Sequence, residues 1–377
     1  MGSSPRKILF LTGTRADFGK IKSLIQVLEK NDGFDVSVFV TGMHLLKEYG
    51  LTLLEIERCG FSNIHTFYNH THESTMDLTL AKTIEGLSAF VKKFAPDMIV
   101  VHGDRVETLA GAIVGSLNNI LVAHIEGGEL SGTVDELIRH SVTKLSHIHF
   151  VSNDQAAKRL VQMGEIKSSI YTIGSPDVDI MFSNSLPSLQ KAKEYYEIDF
   201  EFFAMAMFHP VTTEASDMEK YANSFVDALL QDNHNYVIVY PNNDYGSKHI
   251  IDSYKGLENN SRFRIYPSLR FEYFLTLLKN SRFIIGNSSA GIREAPYYGI
   301  PIINVGTRQQ NRSLHADIIN VGYNSEDILN GLTTIKTHSV QPAASAFGAG
   351  NSSELFLNSL QSDLIWKINH QKQFRDI

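Results

Sequence analysis

Short apolar runs alternate with amphipathic stretches along most of the chain. Lys7–Leu11 reads as a strand, and it opens into TGTRADFG and a helical pattern that reaches about Lys30. Val36–Thr41 reads as the next strand. Met76, Leu80, Ile84, Leu87, Val91 and Phe94 recur at steps of three or four, the spacing of one apolar helix face. Further strands are predicted at Asp97–His102, Ile120–His124, His149–Ser152 and Ile170–Ile173. Helices are predicted over Glu107–Leu117, from about Val134 to Leu145, and between the last two strands. Strands that alternate with helices form a parallel sheet covered on both faces.

The segment SPDVDIMFSNSLPS, residues 175–188, interrupts this pattern with two prolines among serines and an asparagine, and is read as a linker. Alternation then resumes. Strands are predicted at Phe202–Phe208, Tyr236–Tyr240, Phe263–Tyr266, Phe283–Gly286 and Pro301–Val305. Helices are predicted over Asp217–Leu230, near Lys248–Leu257, over Phe271–Leu278 and over Ile292–Tyr298. Phe356, Leu360, Leu364 and Ile368 stand at helical spacing near the lone Trp366, so a terminal helix is expected to pack back across the domains. The expected architecture is α/β, with two Rossmann-like doubly wound domains at 6–175 and 189–352 and the helical tail at 353–377. Ligands of such sheets bind beyond the carboxyl ends of the strands, so two facing domains would enclose a cleft.

Composition narrows the function classes. A length of 377 residues exceeds one ordinary core and agrees with two domains. The formal net charge of −7 disfavours a duplex nucleic-acid partner, which would call for a basic surface. One cysteine, Cys59, rules out an intrachain disulfide framework and a cysteine-based metal site. Apolar runs such as Met98–Val101 fall far short of the ~20 residues that cross a bilayer. The expectation is a cytoplasmic protein with no membrane partner.

The polar clusters all fall just after predicted strands. The first strand leads to Gly13–Asp17 with Arg15, and the strand ending at Val101 leads to His102, Gly103, Asp104 and Arg105. In the second half, strand ends lead to His209–Thr213, to Asn242, to Asn287-Ser288-Ser289 with Glu294, and to Thr307-Arg308. Each has a bland reading. Asp17 and Asp104 could be helix N-caps, Arg105 and the Arg293–Glu294 pair surface ions, and His209 a structural histidine. Their shared position at strand ends favours a site. Backbone amides and hydroxyls of GNSSAG suit a diphosphate, Arg15 and Arg308 can reach phosphate, and Glu294 can accept ribose hydroxyls.

Residues 124–136, HIEGGELSGTVDE, hold four acids, three glycines and one histidine directly after an apolar run. His124 and Glu126 are two apart, but there is no HExxH pattern, so metal is a weak reading and a carboxylate-bound magnesium the residual one. An acid–base apparatus and a solvated loop remain. Glu129 fits a solvated loop, and the glycines fit a gap left for a substrate.

HGDR (102–105), HIEGGELSGTVDELIRH (124–140), HPVTT (209–213), PNND (241–244), GNSSAGIRE (286–294) and GTRQ (306–309), in this order, resemble the UDP-N-acetylglucosamine 2-epimerases. The likeness is greatest to the hydrolysing branch, that is, the bacterial sialic-acid pathway enzymes and the epimerase domain of the bifunctional animal enzyme. It spans about residues 6 to 370. The resemblance implies a GT-B-like fold, a homodimer or homotetramer, and no metal or nicotinamide cofactor. It implies conversion of UDP-GlcNAc and water to UDP and N-acetylmannosamine. Its catalytic positions match Asp104, Glu126, Glu136 with neighbouring Asp135, and His209. Its nucleotide positions match Arg15, Asn242, Ser288, Ser289, Glu294 and Arg308, and Arg105 and His44 are weaker candidates near the sugar. Alternatives are a UDP-2,4-diacetamido-trideoxy sugar as substrate, a GT-B glycosyltransferase, and a non-catalytic nucleotide-sugar sensor.

Overall fold

The computed structural model describes residues 4–69, 75–131, 134–184, 186–309, 318–342, 347–373 and Arg375. The chain forms two compact units. The first contains Met1–Glu129, Asp135–Ser183 and Phe347–Ile377, and the second Leu130–Val134 and Asn184–Ala346.

In the first unit the strands are β1 (Arg6–Thr12), β2 (Phe34–Val40), β3 (Ile64–Thr66), β4 (Met98–His102), β5 (Leu121–Ile125), β6 (Ile148–Val151) and β7 (Ile170–Thr172). They form one sheet in the order β3-β2-β1-β4-β5-β6-β7, with every pairing parallel. Its helices are α1 (Arg15–Glu29), α2 (Leu53–Glu57), α3 (Met76–Phe94), α4 (Val106–Leu117), α5 (Val134–Leu145), α6 (Asp154–Gln162) and α7 (Pro176–Met181). Ile8, Leu9 and Phe10 are consecutive and fully buried, because helices cover both faces of a central parallel strand. The chain builds outward from β1 to β3 and then returns to build from β4 to β7. The loops after β1 and β4 therefore part at the switch point, where such sheets bind ligands.

The second unit repeats the scheme with β8 (Ala204–Met207), β9 (Tyr236–Val239), β10 (Phe263–Tyr266), β11 (Ile284–Gly286), β12 (Ile302–Val305) and β13 (Ile318–Val321). Their order is β10-β9-β8-β11-β12-β13, again all parallel, with the switch point between β8 and β11. Its helices are α8 (Leu189–Tyr195), α9 (Met218–Gln231), α10 (Ser247–Tyr254), α11 (Phe271–Lys279), α12 (Ala290–Arg293) and α13 (Ser325–Thr334).

Several elements differ from the sequence reading. The edge strands β3 and β13 were not predicted: β3 is a polar-rich IHT, whereas β13 reads IINV, the same tetrapeptide as β12, but its side chains are only partly buried at the sheet edge. The first part of the presumed linker is helix α7, with Pro176 at its first turn and Val178, Ile180 and Met181 buried. Proline at that position starts a helix, because its missing N–H would lack an intrahelical partner anyway. The tail forms α14 (Ser352–Gln361), which packs on α1 and α7 of the first unit. The apolar spacing ends at Leu360, since Leu364 is 73% exposed.

Asp179 of α7 accepts the backbone N–H groups of Ser352 and Ser353, each at 2.8 Å, and so caps the start of α14. Phe356 then enters the core between Phe10 and Phe150, with ring centroids 6.3 and 4.7 Å away. Phe356→Ala should cost about 3–5 kcal/mol of unfolding free energy, read from the urea midpoint of the first unit. A loss below ~1 kcal/mol would show that the tail is not part of this core.

Candidate active site

The end of β5 sets the geometry of the first unit's polar cluster. Glu126 follows the strand in a left-handed conformation, φ +65°, which non-glycine residues adopt only when held. Its N–H donates to the Phe150 carbonyl at 2.9 Å, and its own carbonyl accepts from Arg139 of α5 at 2.6 Å. The second arm of the Arg139 guanidinium pairs with the Asp104 carboxylate. One buried arginine thus ties the loop after β4 to the loop after β5.

The Glu126 side chain is 3% exposed. Its Oε2 lies 3.2 Å from His102 Nε2 at the end of β4. Its Oε1 accepts from the Ser175 hydroxyl and stands 3.7 Å from Lys20 Nζ of α1. Lys20 is also 3.3 Å from Asp177 of α7. The cluster therefore draws on β4, β5, α1, α5 and the start of α7, and it joins Asp104 and Glu126 as the sequence suggested. His102, Arg139, Lys20, Ser175 and Asp177 had been given no role. His102 and Arg139 lie inside the quoted motifs and were legible in principle, whereas nothing local marks the other three.

The rest of HIEGGELSGTVDE divides. Glu129 is not solvated: it is 6% exposed and accepts from the Ser152 hydroxyl at 2.7 Å. Nor do the glycines simply leave space. A Cβ on Gly127 would lie 2.9 Å from His124 Nδ1, and Gly128, at φ +76°, would press one to 2.4 Å from the Ala156 carbonyl oxygen. Packing of the loop against His124 and α5 requires Gly127, and packing against α6 requires Gly128. Glu136, with Asp135 beside it in the first turn of α5, is half-exposed and pairs with His140 at 3.3 Å one turn on. Gly132 and Thr133 lie outside the described residues.

The loop after β1 closes on itself. Thr14, not Asp17, is the N-cap of α1, and Asp17 completes the capping box. Asp17 also accepts from Thr12 Oγ1 at 2.5 Å and from the Gly13 N–H at 3.0 Å. Since Thr12 donates to Asp17, His44 Nε2 must donate to Thr12 Oγ1, 3.0 Å away, and Nδ1 accepts from Thr52 at 2.6 Å. His44 is 1% exposed, so it supports this loop from behind and does not present its ring to a ligand. Arg15 pairs with Glu55 of α2. Arg105 occupies the N-cap position of α4, so Asp104 is not that cap.

In the second unit the candidates converge on Asn287, after β11. Its Oδ1 accepts the His209 N–H at 2.6 Å and its Nδ2 donates to the His209 carbonyl at 2.9 Å. Its carbonyl accepts from Arg308 at 3.1 Å and from Gln309 at 2.8 Å. The loops after β8, β11 and β12 are thereby joined through one amide. Gly286 permits this closeness, since a Cβ there would lie 2.0 Å from the Met207 carbonyl oxygen. The Asn242 N–H donates to His209 Nδ1 at 3.1 Å, which leaves Nε2 as the protonated nitrogen of the neutral ring. Ser288 Oγ accepts from the Ala290 N–H at 3.3 Å, and Ser289 stands at the N-cap position of α12. Arg293 and Glu294 are each 4% exposed, so they are not a surface ion pair.

Among the described residues no group of three or more His, Cys, Asp and Glu is placed to hold a metal ion, and no helix is long and apolar enough to cross a membrane.

Two parallel doubly wound sheets of this order define an α/β, GT-B-like protein. The crystal structure of Methanocaldococcus jannaschii UDP-GlcNAc 2-epimerase in complex with UDP-GlcNAc and UDP has this fold. It superposes with a TM-score of 0.77 at 22% identity over 94% of this chain and 99% of that one. The description "UDP-N-acetylglucosamine 2-epimerase" matches residues 26–361, and the chain belongs to that family. It is 46% identical over 375 residues, 99% of each chain, to the UDP-N-acetylglucosamine 2-epimerase of Neisseria meningitidis serogroup B. It is 33% identical to the UDP-N,N'-diacetylbacillosamine 2-epimerase (hydrolyzing) of Legionella pneumophila, over 93% of this chain and 94% of that one.

Burial holds two histidines neutral. It pushes His44 down to about 3, helped by the Arg15 charge, and His124 likewise to about 3 against the Gly103 carbonyl bond that favours its proton. The native chain then refuses protons that the unfolded chain binds below its ordinary value of 6.5. Each histidine therefore leaves stability intact above that pH and removes it as pH falls from there towards 3. His44→Gln should lower the slope of unfolding free energy against pH, between pH 6 and 4, by about 1.4 kcal/mol per unit in urea titrations. An unchanged slope would mean that His44 titrates in the native protein.

Proposed function

We propose that the protein is a hydrolysing UDP-GlcNAc 2-epimerase that releases UDP and N-acetylmannosamine. The observation that carries this reading is the buried Glu126 carboxylate, set against His102, Ser175 and Lys20, with Asp104 joined to its backbone through Arg139. The name of the relative at 46% identity supports UDP-GlcNAc as substrate. The hydrolysing branch is supported by the HIEGGE form of the motif and by the likeness, at 33% identity, to a hydrolysing 2-epimerase.

The chemistry accounts for the acids. C2 of the nucleotide sugar is not next to a carbonyl, so its proton is not acidic. As the C1–O bond breaks and its electron pair leaves with UDP, C1 becomes oxocarbenium-like and the C2 proton becomes removable. A base takes that proton, the C2–H pair forms the C1=C2 bond, and the product is 2-acetamidoglucal. Water then adds at C1 while a proton returns to C2 from the opposite face, which gives the inverted sugar. Glu126 and Asp104 are assigned to this proton work, with Glu136 and Asp135 as further acid–base candidates. His209 is assigned to the leaving diphosphate, whose developing charge an Nε2–H donor would stabilise. Arg15, Asn242, Ser288, Ser289, Glu294 and Arg308 are assigned to the nucleotide, and Arg105 to the sugar.

The reading extends to sialic-acid biosynthesis by a cytoplasmic homodimer or homotetramer. A second reading, a UDP-2,4-diacetamido-trideoxy sugar as substrate, is favoured by the Legionella relative. A glycosyltransferase would need an acceptor and would leave C2 unchanged.

Incubation with UDP-GlcNAc in D2O, followed by proton NMR, should yield UDP and free N-acetylmannosamine with deuterium at C2. Accumulation of intact UDP-ManNAc would place the protein in the non-hydrolysing branch. Turnover of the diacetamido analogue alone would rename the substrate. Glu126→Gln and Asp104→Asn should each lower kcat by roughly 10²–10⁴-fold and still bind UDP. Arg308→Ala should instead weaken UDP binding with a smaller effect on kcat. Wild-type turnover in both carboxamide variants would remove these two residues from the mechanism.

A further inference from the structure

Lys20 has no place in the assignments above, yet its setting is unusual. Lysine is seldom buried, because removing an ammonium from water is costly unless anions compensate it. Lys20 is 9% exposed and lies in the second turn of α1. Its Nζ stands 3.3 Å from Asp177 Oδ2 and 3.7 Å from Glu126 Oε1. Asp177 is 1% exposed and Glu126 3%. Helix α7 supports both: Ser175, its N-cap and fully buried, donates its hydroxyl to the same Glu126 oxygen that Lys20 faces.

We propose that Lys20 is a positioning residue for the reaction: held by Asp177, its ammonium keeps Glu126 ionised and aimed, so that Glu126 enters the elimination as the proton acceptor and not as the acid. The proposal rests on the epimerase reading. In the step it serves, the C2 proton passes to the Glu126 carboxylate, the C2–H pair becomes the C1=C2 bond, and the C1–O pair departs with UDP. Ser175 fixes the rotamer of the carboxylate by occupying Oε1, and His102 stands at Oε2.

The charged and titratable groups around Glu126 come from each element packed on it. Among the described residues they include Lys20 of α1, His102 of β4 with Asp17 of α1 acting on it, Arg139 of α5 at the backbone carbonyl with Asp104, and Asp177 of α7. The Lys20 ammonium thus lies within 4 Å of the Glu126 carboxylate itself. The Arg139 charge is committed to Asp104 and to the backbone. An opposite charge at such a distance lowers a carboxyl pKa by about 1–3 units, so loss of Lys20 should raise that of Glu126 by the same amount.

The test titrates Glu126 directly, by carbon NMR of chain labelled at the glutamate carboxyl carbons, with its resonance assigned through Glu126→Gln. In Lys20→Met the midpoint should move up by about 1–3 units, and in Lys20→Arg it should stay near the wild-type value. The acid limb of kcat/KM for UDP-GlcNAc should move with it, with activity regained as pH rises and KM little altered. A purely structural lesion would not recover with pH. If Lys20→Met does not fold, because Asp177 is left as an uncompensated buried charge, Lys20→Met with Asp177→Asn removes the pair together and should show the same shift. An unmoved Glu126 midpoint in the folded variant overturns the proposal. Absence of wild-type turnover would instead count against the epimerase reading, and the carboxyl titration would still decide the role of Lys20.

Discussion

The first unit's site depends on one guanidinium. Arg139 is 3% exposed, and a planar fork can satisfy two acceptors at fixed separation. One arm takes the Asp104 carboxylate and the other the Glu126 carbonyl. Those acceptors belong to loops that leave neighbouring parallel strands, whose ends are also tied by the Gly103 N–H donating to the Ile125 carbonyl at 3.0 Å. The fork also helps to hold Glu126 at φ +65°, a conformation that costs of order 1 kcal/mol or more in a non-glycine residue. A lysine at this position would supply charge without the second, directed bond.

The second unit solves the same problem through a neutral amide. Asn287 is fully buried, and its amide both donates to and accepts from the His209 backbone. Its carbonyl receives Arg308 and Gln309. A neutral amide is well suited to this task, because it can bond complementary backbone groups without adding charge to a site proposed to take an anion. The requirement reaches down the strand to Gly286, where any side chain would drive β11 away from β8. In both units, then, a buried side chain joins loops at strand ends, and residues proposed to react lie on the joined loops.

Much of this was legible in the sequence for physical reasons. Central parallel strands are apolar on both faces, so β1, β4, β5, β8 and β9 stood out. The edge strand β3 lacks that mark, β13 was passed over although its IINV repeats β12, and helix α7 was hidden by a proline taken as a break. Asp104, Glu126, His209 and Asn242 were legible because strand ends concentrate ligand groups. Glu129 was misread, since a polar residue in a loop looks the same whether water or a buried hydroxyl satisfies it, and His44, offered as a residue near the sugar, is instead buried between two threonines. Ser175 and Asp177 are about fifty residues from Glu126 in the chain, and Lys20 more than a hundred. Only the return of α7 past α1 brings them together, and no local pattern encodes that return.

The distribution of charge also resolves an apparent conflict. A chain with a net charge of −7 gathers acids into the one place where a diphosphate-bearing substrate is proposed to act. Uncompensated, these carboxylates would repel the ligand and one another, and burial would drive them to take up protons. The structure places a cation against each principal acid instead: Arg139 on Asp104, and Lys20 between Glu126 and Asp177. Anion tolerance and the availability of a charged base thus come from the same arrangement. It is the local pairing, set by which helix turns face the strand ends, that determines what the acids can do, while the net charge of the chain bears only on which distant partners are attracted.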